Sequence, residues 1–387
     1  MERIGGIVNF IRGFVRVAPP DFEIEIAGVA VGDEAPDAGW QTLALAGRPV
    51  RFLPAVRTSA ARRTGRLPLK ARITTNLLRK RRRIPTDGRV VQVHAPAMDL
   101  AFVGRHAPLI RVVHNDPQHL AASGVGSAWR RLGGLVEWVE DLSFRRCASI
   151  FFVSRSTYER YAAKRRFADR VQLLPNFFDE SLFQPLAAAE RRTLRGSLSA
   201  ELGISPEVPW LLFAGRLDRQ KDPALAVRTL AALRAAPAAG ALLLMAGEGD
   251  LLDGTRQLAH EVGVGHRVHF LGTWPQPRLV RLMQVADAFL LTSAFESGPT
   301  VAYEALAAGL PVVGTPVGEL PRIVANGSTG FVANSFSAPE LAAGLEWALG
   351  QRRSAIALRC SASVRPYTTA NVLQPFIAEH RRLAERG

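Results

Sequence analysis

"ADAFLLTSAFESGPTVAYEALAAGLPVVGT", residues 286–315, reads as strand, turn, helix and strand again. "AFLLTS" is a short apolar run of the length a buried strand needs, and Ser297-Gly298-Pro299 interrupt it. "TVAYEALAAG" then carries helix formers, and "PVVGT" returns as a second buried strand. Two apolar strands joined by a helix make a parallel pair, because only a long crossover brings the chain back in the same direction. The same rhythm extends outward: "WLLFAG", "ALLLMAG" and "VHFLG" precede the stretch and "GFVA" follows it. The first half repeats it with "FEIEIAGVA", "TLALAG", "VVQVHA", "LIRVVH", "SIFFVS" and "VQLLPN".

The pattern predicts an α/β chain of two doubly wound, Rossmann-like units in tandem. The length of 387 residues agrees, being about twice the ~100–200 residues of one domain. Turn and linker residues between Asn176 and Pro209 mark the boundary, giving units over about 1–185 and 186–364, with a helical segment, 365–387, crossing back to the first. Ligands of open parallel sheets sit outside the carboxyl ends of the strands, so a ligand of two such units is expected in the cleft between them.

Composition narrows the class. Nearly half of the residues are apolar, which excludes a disordered chain. Cys147 and Cys360 have no partner at metal-binding or redox spacing and read as plain thiols of a reducing compartment. No apolar stretch reaches the ~18 residues of a membrane span, and Arg12 and Arg16 interrupt the N-terminal run, so a cytoplasmic protein is expected. The net charge is +15, and between Arg57 and Arg89 twelve cations face Asp87 alone, an excess of +11. Such a local excess suits an anionic partner surface. The stretch has no aromatic residue for base stacking, which ranks nucleic acid last; an anionic membrane and a merely solvated loop remain. "LPLKARITTNLLRKRRR" alternates apolar and basic positions as an interfacial helix does, although Thr74 and Thr75 weaken the helix.

Two segments carry chemistry. In "FAGRLDRQKDPALAVRTL", residues 213–230, a strand ends at Gly215, and Arg216 and Lys221 come just before Asp222 and Pro223, an N-cap and a first helical residue. Cations beside a helix N-terminus make a phosphate or diphosphate site; the alternative is ordinary surface charge. "FESGPTVAYEALAAG" repeats the strand-turn-helix arrangement, with Glu296 on the turn and Glu304 about one turn into a helix that begins near Thr300. Those carboxylates suit sugar hydroxyls, with Ser297, Gly298, Pro299 and Thr300 offering N–H groups and hydroxyls; the alternative is a Glu held by the helix dipole. No Asp-x-Asp occurs, and the arrangement requires no metal.

"GRLDRQKDP", "MAGEGD", "VHFLGTWPQPRLVRLMQVADAFLLTSAFESGPTVAYEALAAGLPVVGTPVGELP" and "NGSTGFV", in this order, closely resemble glycosyltransferase family 4, retaining enzymes of the GT-B fold. The likeness is strong over about 205–350 and continuous, but weaker, through the first half. It implies that Arg216 and Lys221 neutralise a donor diphosphate, that Glu296 faces the donor sugar and that Glu304 binds ribose hydroxyls. It also implies that Gly215 and the 297–300 turn hold sugar and phosphate, that His114 approaches the donor sugar, and that Gly5-Gly6 form a glycine loop near the diphosphate and acceptor. His94, which also ends a strand, ranks second to His114. The implied reaction is retaining transfer of a hexose-type sugar from a nucleotide-diphosphate sugar, with no cofactor, to a saccharide or lipid-linked saccharide of the cell envelope or an exopolysaccharide. The Arg57–Arg89 stretch would hold the enzyme at the inner face of the membrane.

Two departures stand out. The family opens with an apolar strand before the glycine loop, whereas only Met1–Ile4 precede Gly5, so the expectation is that the true start lies upstream. Arg322 stands where many relatives have Glu. The rival readings are a nucleotide-sugar epimerase of the same fold and a non-catalytic basic binding protein.

Overall fold

The computed structural model describes residues 6–31, 39–58, 69–95, 98–114, 138, 140–234 and 238–386. Its contacts divide the chain into one unit of Met1–Pro175 with Thr369–Gly387 and a second of Asn176–Thr368. The chain is α/β, as its apolar rhythm requires.

In the first unit, strands β1 (Glu25–Val31), β2 (Gln41–Leu45) and β3 (Arg48–Thr58) form a sheet in the order β1-β3-β2. β1 runs parallel to β3, but β2 is antiparallel to it, so "TLALAG" is one arm of a hairpin. The hairpin turns at Ala46 and Gly47, both at positive φ (50° and 77°), the twist that a two-residue hairpin loop demands. The eleven residues of β3, among the longest strands of the chain, escaped the sequence reading because Pro49, Pro54 and three arginines interrupt the apolar pattern. Pro54 is tolerated because the register with β1 shifts there, between Gly28 and Val29.

A second sheet of the same unit is wholly parallel, with β4 (Val91–Val93), β5 (Leu109–Val113), β6 (Ser149–Phe152) and β7 (Val171–Leu173) side by side in that order. β5 and β6 are buried along their whole length. The C-terminal helix Thr369–Ala384 belongs to this unit, and its Phe376 packs edge-on against Phe10 and Phe14 of helix Gly6–Val17, 5.5 Å from each. Helix Leu69–Lys80 forms despite its threonines. Its Ile73 and Leu77 are buried in the unit's core with the following Ile84, leaving Leu78 exposed. That corrects the interfacial-helix reading: the apolar face is already used.

The second unit holds β8 (Trp210–Ala214), β9 (Leu242–Ala246), β10 (Val268–Gly272), β11 (Ala288–Leu291), β12 (Val312–Gly314) and β13 (Gly330–Val332). They make one parallel sheet in the order β10-β9-β8-β11-β12-β13. Leu212, Leu244 and Phe289 pack into one core, and Leu211, Leu243 and Leu290 into another. Burial on both faces explains the near-continuous apolar runs of these strands. From β8 the chain steps outward through β9 to β10, then returns to place β11 on the other side of β8. The winding direction therefore reverses between β8 and β11, which is where open α/β sheets leave a crevice for ligands.

Candidate functional site

The loops after β8 and β11 flank that reversal, and they are tied to each other. Thr292 Oγ1 lies 2.9 Å from the carbonyls of both Lys221 and Asp222, and the Ala294 N–H donates to the Gln220 carbonyl at 2.8 Å. Asp222 takes a left-handed backbone, φ 43°, which costs a residue with a Cβ. Its carboxylate accepts from the Leu225 N–H at 3.1 Å and so caps helix Pro223–Ala232. Asp218 accepts from the Lys221 N–H, also at 3.1 Å.

This bracing delivers Lys221 to Glu296. The ammonium and Glu296 Oε1 form a short ion pair, and Ser293 Oγ donates to the same oxygen at 2.9 Å. Both partners are mostly buried, so removing either would strand the other's charge. Gly215 lies under the aliphatic stem of Lys221, where a Cβ would be 3.4 Å from its carbons. Arg216 behaves differently: it is two-thirds exposed and paired with Asp218 at 2.9 Å.

Glu304 is buried on helix Thr300–Ala307. Burial pushes its carboxyl up to about 7, because desolvation opposes the charged form. No ion pair or side-chain hydrogen bond to it occurs among the described residues. The turn before this helix is held from two sides. Asn176 donates to the Gly298 carbonyl, and Gly318, at φ 51°, lies so close that a Cβ would meet the carbonyls of Glu296 and Ser297 at 2.6 and 2.8 Å. Pro299 is the N-cap and gives no side-chain bond; the Ala302 N–H turns back to the Pro299 carbonyl at 2.9 Å, which leaves the N–H groups of Thr300 and Val301 to favour an anion.

In the first unit, His94 and His114 follow the adjacent strands β4 and β5, and His94 Nδ1 lies 2.8 Å from His114 Nε2. Phe10 sets its edge against both rings, 5.2 and 5.4 Å away. Burial, and then the Arg111 charge, pull His114 down to about 4; His94 is lowered by burial, by His114 and by Arg111. Both rings are therefore neutral at pH 7. Gly6 begins helix Gly6–Val17 with no atom of the described residues within 4 Å of an added Cβ, while Gly5 lies outside the described residues. Of the basic stretch, residues 59–68 also lie outside them; Arg79, Arg81, Arg82 and Arg83 are exposed. No helix among the described residues is long and apolar enough to cross a membrane.

Sequence reading missed the residues that act by bracing: Thr292, Ser293, Gly318, Asn176, and Gln92 and His380 near the histidines. Only the glycine in "TPVGELP" gave a signal, as a punctuation mark after a strand. Arg322 is exposed and lies 3.8 Å from Glu319. A polar cavity lined by Ser149, Arg170, Glu379 and Arg382 sits by the amino ends of β6 and β7, away from the strand ends that carry His94 and His114.

Comparison with known proteins gives the family of the chain. Residues 195–362 match the family model "Glycosyl transferases group 1", and residues 4–182 match "Glycosyltransferase Family 4". A D-inositol 3-phosphate glycosyltransferase of Nocardia farcinica is 35% identical over 205 residues, 51% of this chain and 43% of that protein. One of Mycobacterium marinum is 29% identical over 222 residues, 55% of this chain and 45% of the relative. The matched regions thus span less than half the length of these relatives. Among solved structures, sucrose-phosphate synthase of Thermosynechococcus elongatus superposes with a TM-score of 0.72 at 17% identity, covering 95% of this chain and 90% of that one. WaaG, a glycosyltransferase involved in lipopolysaccharide biosynthesis, gives 0.67 at 18% identity over 100% and 97%. Anabaena Alr3699/HepE in complex with UDP-glucose gives 0.65 at 19% identity over 85% and 86%. At these identities the structures share the fold, which is GT-B.

Proposed function

We propose, because the chain belongs to glycosyltransferase family 4 and the glycosyl transferases group 1, that it moves a hexose-type sugar from a nucleoside-diphosphate sugar to a hydroxyl acceptor with retention of configuration. The observation that carries this reading is the constellation at the reversal of the second sheet. Lys221 paired with Glu296, a helix start at Thr300 with no side-chain cap and a buried Glu304 with no side-chain partner among the described residues stand within one strand-end region.

Each group answers a part of one ligand. Lys221, Arg216 and the helix start at Thr300 offer positive charge for the diphosphate. Glu296 accepts from hydroxyls of the donor sugar, and Glu304 from the ribose diol, which would supply the hydrogen bonds its carboxylate lacks. In the reaction, the bond from the anomeric carbon to the diphosphate oxygen breaks, and its electron pair leaves with the diphosphate. The acceptor oxygen bonds to the same face of that carbon, and its proton passes to the leaving diphosphate. The cations stabilise the charge growing on the leaving oxygen, where fixed charge lowers a barrier most. No metal is written into this scheme, since protein cations fill that role.

UDP-glucose, the sugar nucleotide bound by HepE, heads the donors to try. The acceptor is proposed to be a saccharide or lipid-linked saccharide of envelope or exopolysaccharide synthesis. An inositol phosphate, the acceptor class named for the Nocardia relative, is the first soluble alternative. The exposed arginines after helix Leu69–Lys80 are proposed to hold the protein against an anionic membrane by charge, since Ile73 and Leu77 of that helix are buried in the unit's own core.

The test is a panel of nucleotide sugars with and without acceptors, read as release of nucleoside diphosphate and as sugar product. Transfer by the full chain and its loss in Glu296→Ala and Lys221→Ala are expected. A changed sugar configuration without acceptor would indicate an epimerase, and tight nucleotide binding with no turnover a binding protein; either overturns the proposal.

A further inference from the structure

His114 does not stand alone. Its Nε2 lies 2.8 Å from His94 Nδ1, and His94 Nε2 lies 2.5 Å from the amide nitrogen of Gln92. The amide oxygen of Gln92 lies 3.2 Å from His380 Nε2, and His380 Nδ1 lies 2.8 Å from the backbone carbonyl of Phe376. Four side chains from β4, the ends of β4 and β5, and the C-terminal helix thus make one unbroken line of polar contacts within the first unit.

Such a line has only two polarities if every ring is neutral, because each ring then has one donor and one acceptor nitrogen. Burial is the main influence on all three rings, and it holds each below the usual histidine value. The far end chooses the polarity. A carbonyl can only accept, so His380 must donate to Phe376 from Nδ1, which leaves His380 Nε2 as an acceptor. The amide, whose nitrogen and oxygen ends have the same shape, must then be turned end for end from the arrangement above, with its NH2 to His380 and its oxygen to His94, since the oxygen facing an unprotonated His380 nitrogen would leave two acceptors in contact. His94 accordingly carries its proton on Nε2, and its Nδ1 accepts from His114 Nε2–H. His114 Nδ1, which has no partner among the described residues, is left as a lone pair.

We propose that His380, Gln92 and His94 are positioning residues that fix His114 in the Nε2–H tautomer, so that its Nδ1 accepts a hydrogen bond from a sugar hydroxyl. The second clause rests on the glycosyl-transfer reading; the first does not. A His114 of the opposite tautomer would offer a donor at the same point and would orient a hydroxyl the wrong way round. Phe10 closes over His94 and His114, and Phe14 lies 5.1 Å from the His380 ring, which limits water that would otherwise break the line.

Long-range proton–nitrogen spectra of the full chain with ¹⁵N-labelled histidine read each tautomer directly. Expected are protons on Nδ1 of His380 and on Nε2 of His94 and His114; the reverse at all three overturns the proposal. Gln92→Glu is the conservative variant: its carboxylate accepts from both neighbours, so His380 gains a second proton while His94 and His114 keep theirs. Turnover should stay within about twofold, less than the loss of one hydrogen bond. Gln92→Leu cuts the line, and both rings beyond it should show mixed tautomers, with kcat/KM falling roughly tenfold, about the worth of one well-placed hydrogen bond. Unchanged tautomers in Gln92→Leu overturn the relay whatever the activity. Mixed tautomers with unchanged kcat/KM overturn the role of Nδ1 at the substrate while the family reaction itself stands.

Discussion

The two strand-end regions solve the burial of polar groups in opposite ways. Beside β8 and β11, the second unit buries charge: Lys221 against Glu296, with Ser293 and two braced loops keeping the pair in register. After β4 and β5, the first unit buries neutral rings, and a line of single hydrogen bonds replaces the ion pair. In the proposed reaction the charge pair redirects its field to a diphosphate, whereas a neutral line holds only orientation. The proposed function accordingly gives electrostatics to one region and alignment to the other.

Removing Lys221 should break the comparison hardest. Lys221→Ala is expected to lower kcat by about 10²–10³, the usual loss of one stabilising group at a developing oxyanion, and to strand Glu296. The double variant Lys221→Met, Glu296→Gln removes both charges and should recover thermal stability without recovering turnover. Equal recovery of both would show that the pair serves the fold alone.

Titration sharpens the contrast, because the two regions respond to pH with opposite sign. Glu304 has its folded value raised to about 7 from an ordinary 4.5, so between those values the unfolded chain sheds a proton that the folded chain keeps. Stability is therefore lost as pH rises from 4.5 to 7, by about 3 kcal/mol at most, and is not lost further above it. Glu304→Gln should raise the melting temperature of the second unit at pH 8, leave it unchanged at pH 4.5, and weaken nucleotide binding. A stabilised variant with undiminished binding would remove Glu304 from the site.

His114 works the other way. Its folded value is lowered to about 4 from 6.5, so as pH falls through that window the unfolded chain takes up a proton that the folded chain refuses. Stability is lost on acidification, by about 1–2 kcal/mol once the solvent-facing part of the ring is allowed for. Amide exchange along β5, compared at pH 5 and pH 7.5 after correction for intrinsic rates, should speed up in the native chain and not in His114→Leu. No difference between the two chains would mean that Arg111 and the surrounding burial do not hold the ring neutral.

How much of this was legible in the sequence follows from which forces leave a pattern. The second sheet was read strand by strand because burial on both faces demands continuous apolar runs, and Asp222-Pro223 announce a helix start by capping chemistry. The pairing of Lys221 with Glu296 was not legible: 75 residues separate them, and only the return of β11 beside β8 joins them. β3 was lost because its prolines mimic a loop, and their tolerance depends on a register shift that no single segment encodes. The histidine line was half visible, as two strand-end histidines, but Gln92 and His380 lie 288 residues apart.

The smallest effect concerns glycine, and it separates a glycine required by the fold from one required by a ligand. At Gly318 the backbone is left-handed and a Cβ would strike the carbonyls of Glu296 and Ser297, so Gly318→Ala should cost about 1–2 kcal/mol and disturb the Glu296 turn. Gly6 has open space and begins a helix, so Gly6→Ala should be neutral or add a few tenths to about 1 kcal/mol of stability. Nothing in the packing of the described residues requires glycine at that position. If turnover nevertheless falls in Gly6→Ala while its melting temperature holds, the missing side chain is making room for something other than the described residues, and the Gly5-Gly6 loop of the sequence reading becomes a candidate ligand contact. If turnover is unchanged, Gly6 is only the first residue of a helix, and His114 remains the proposed substrate contact of the first unit.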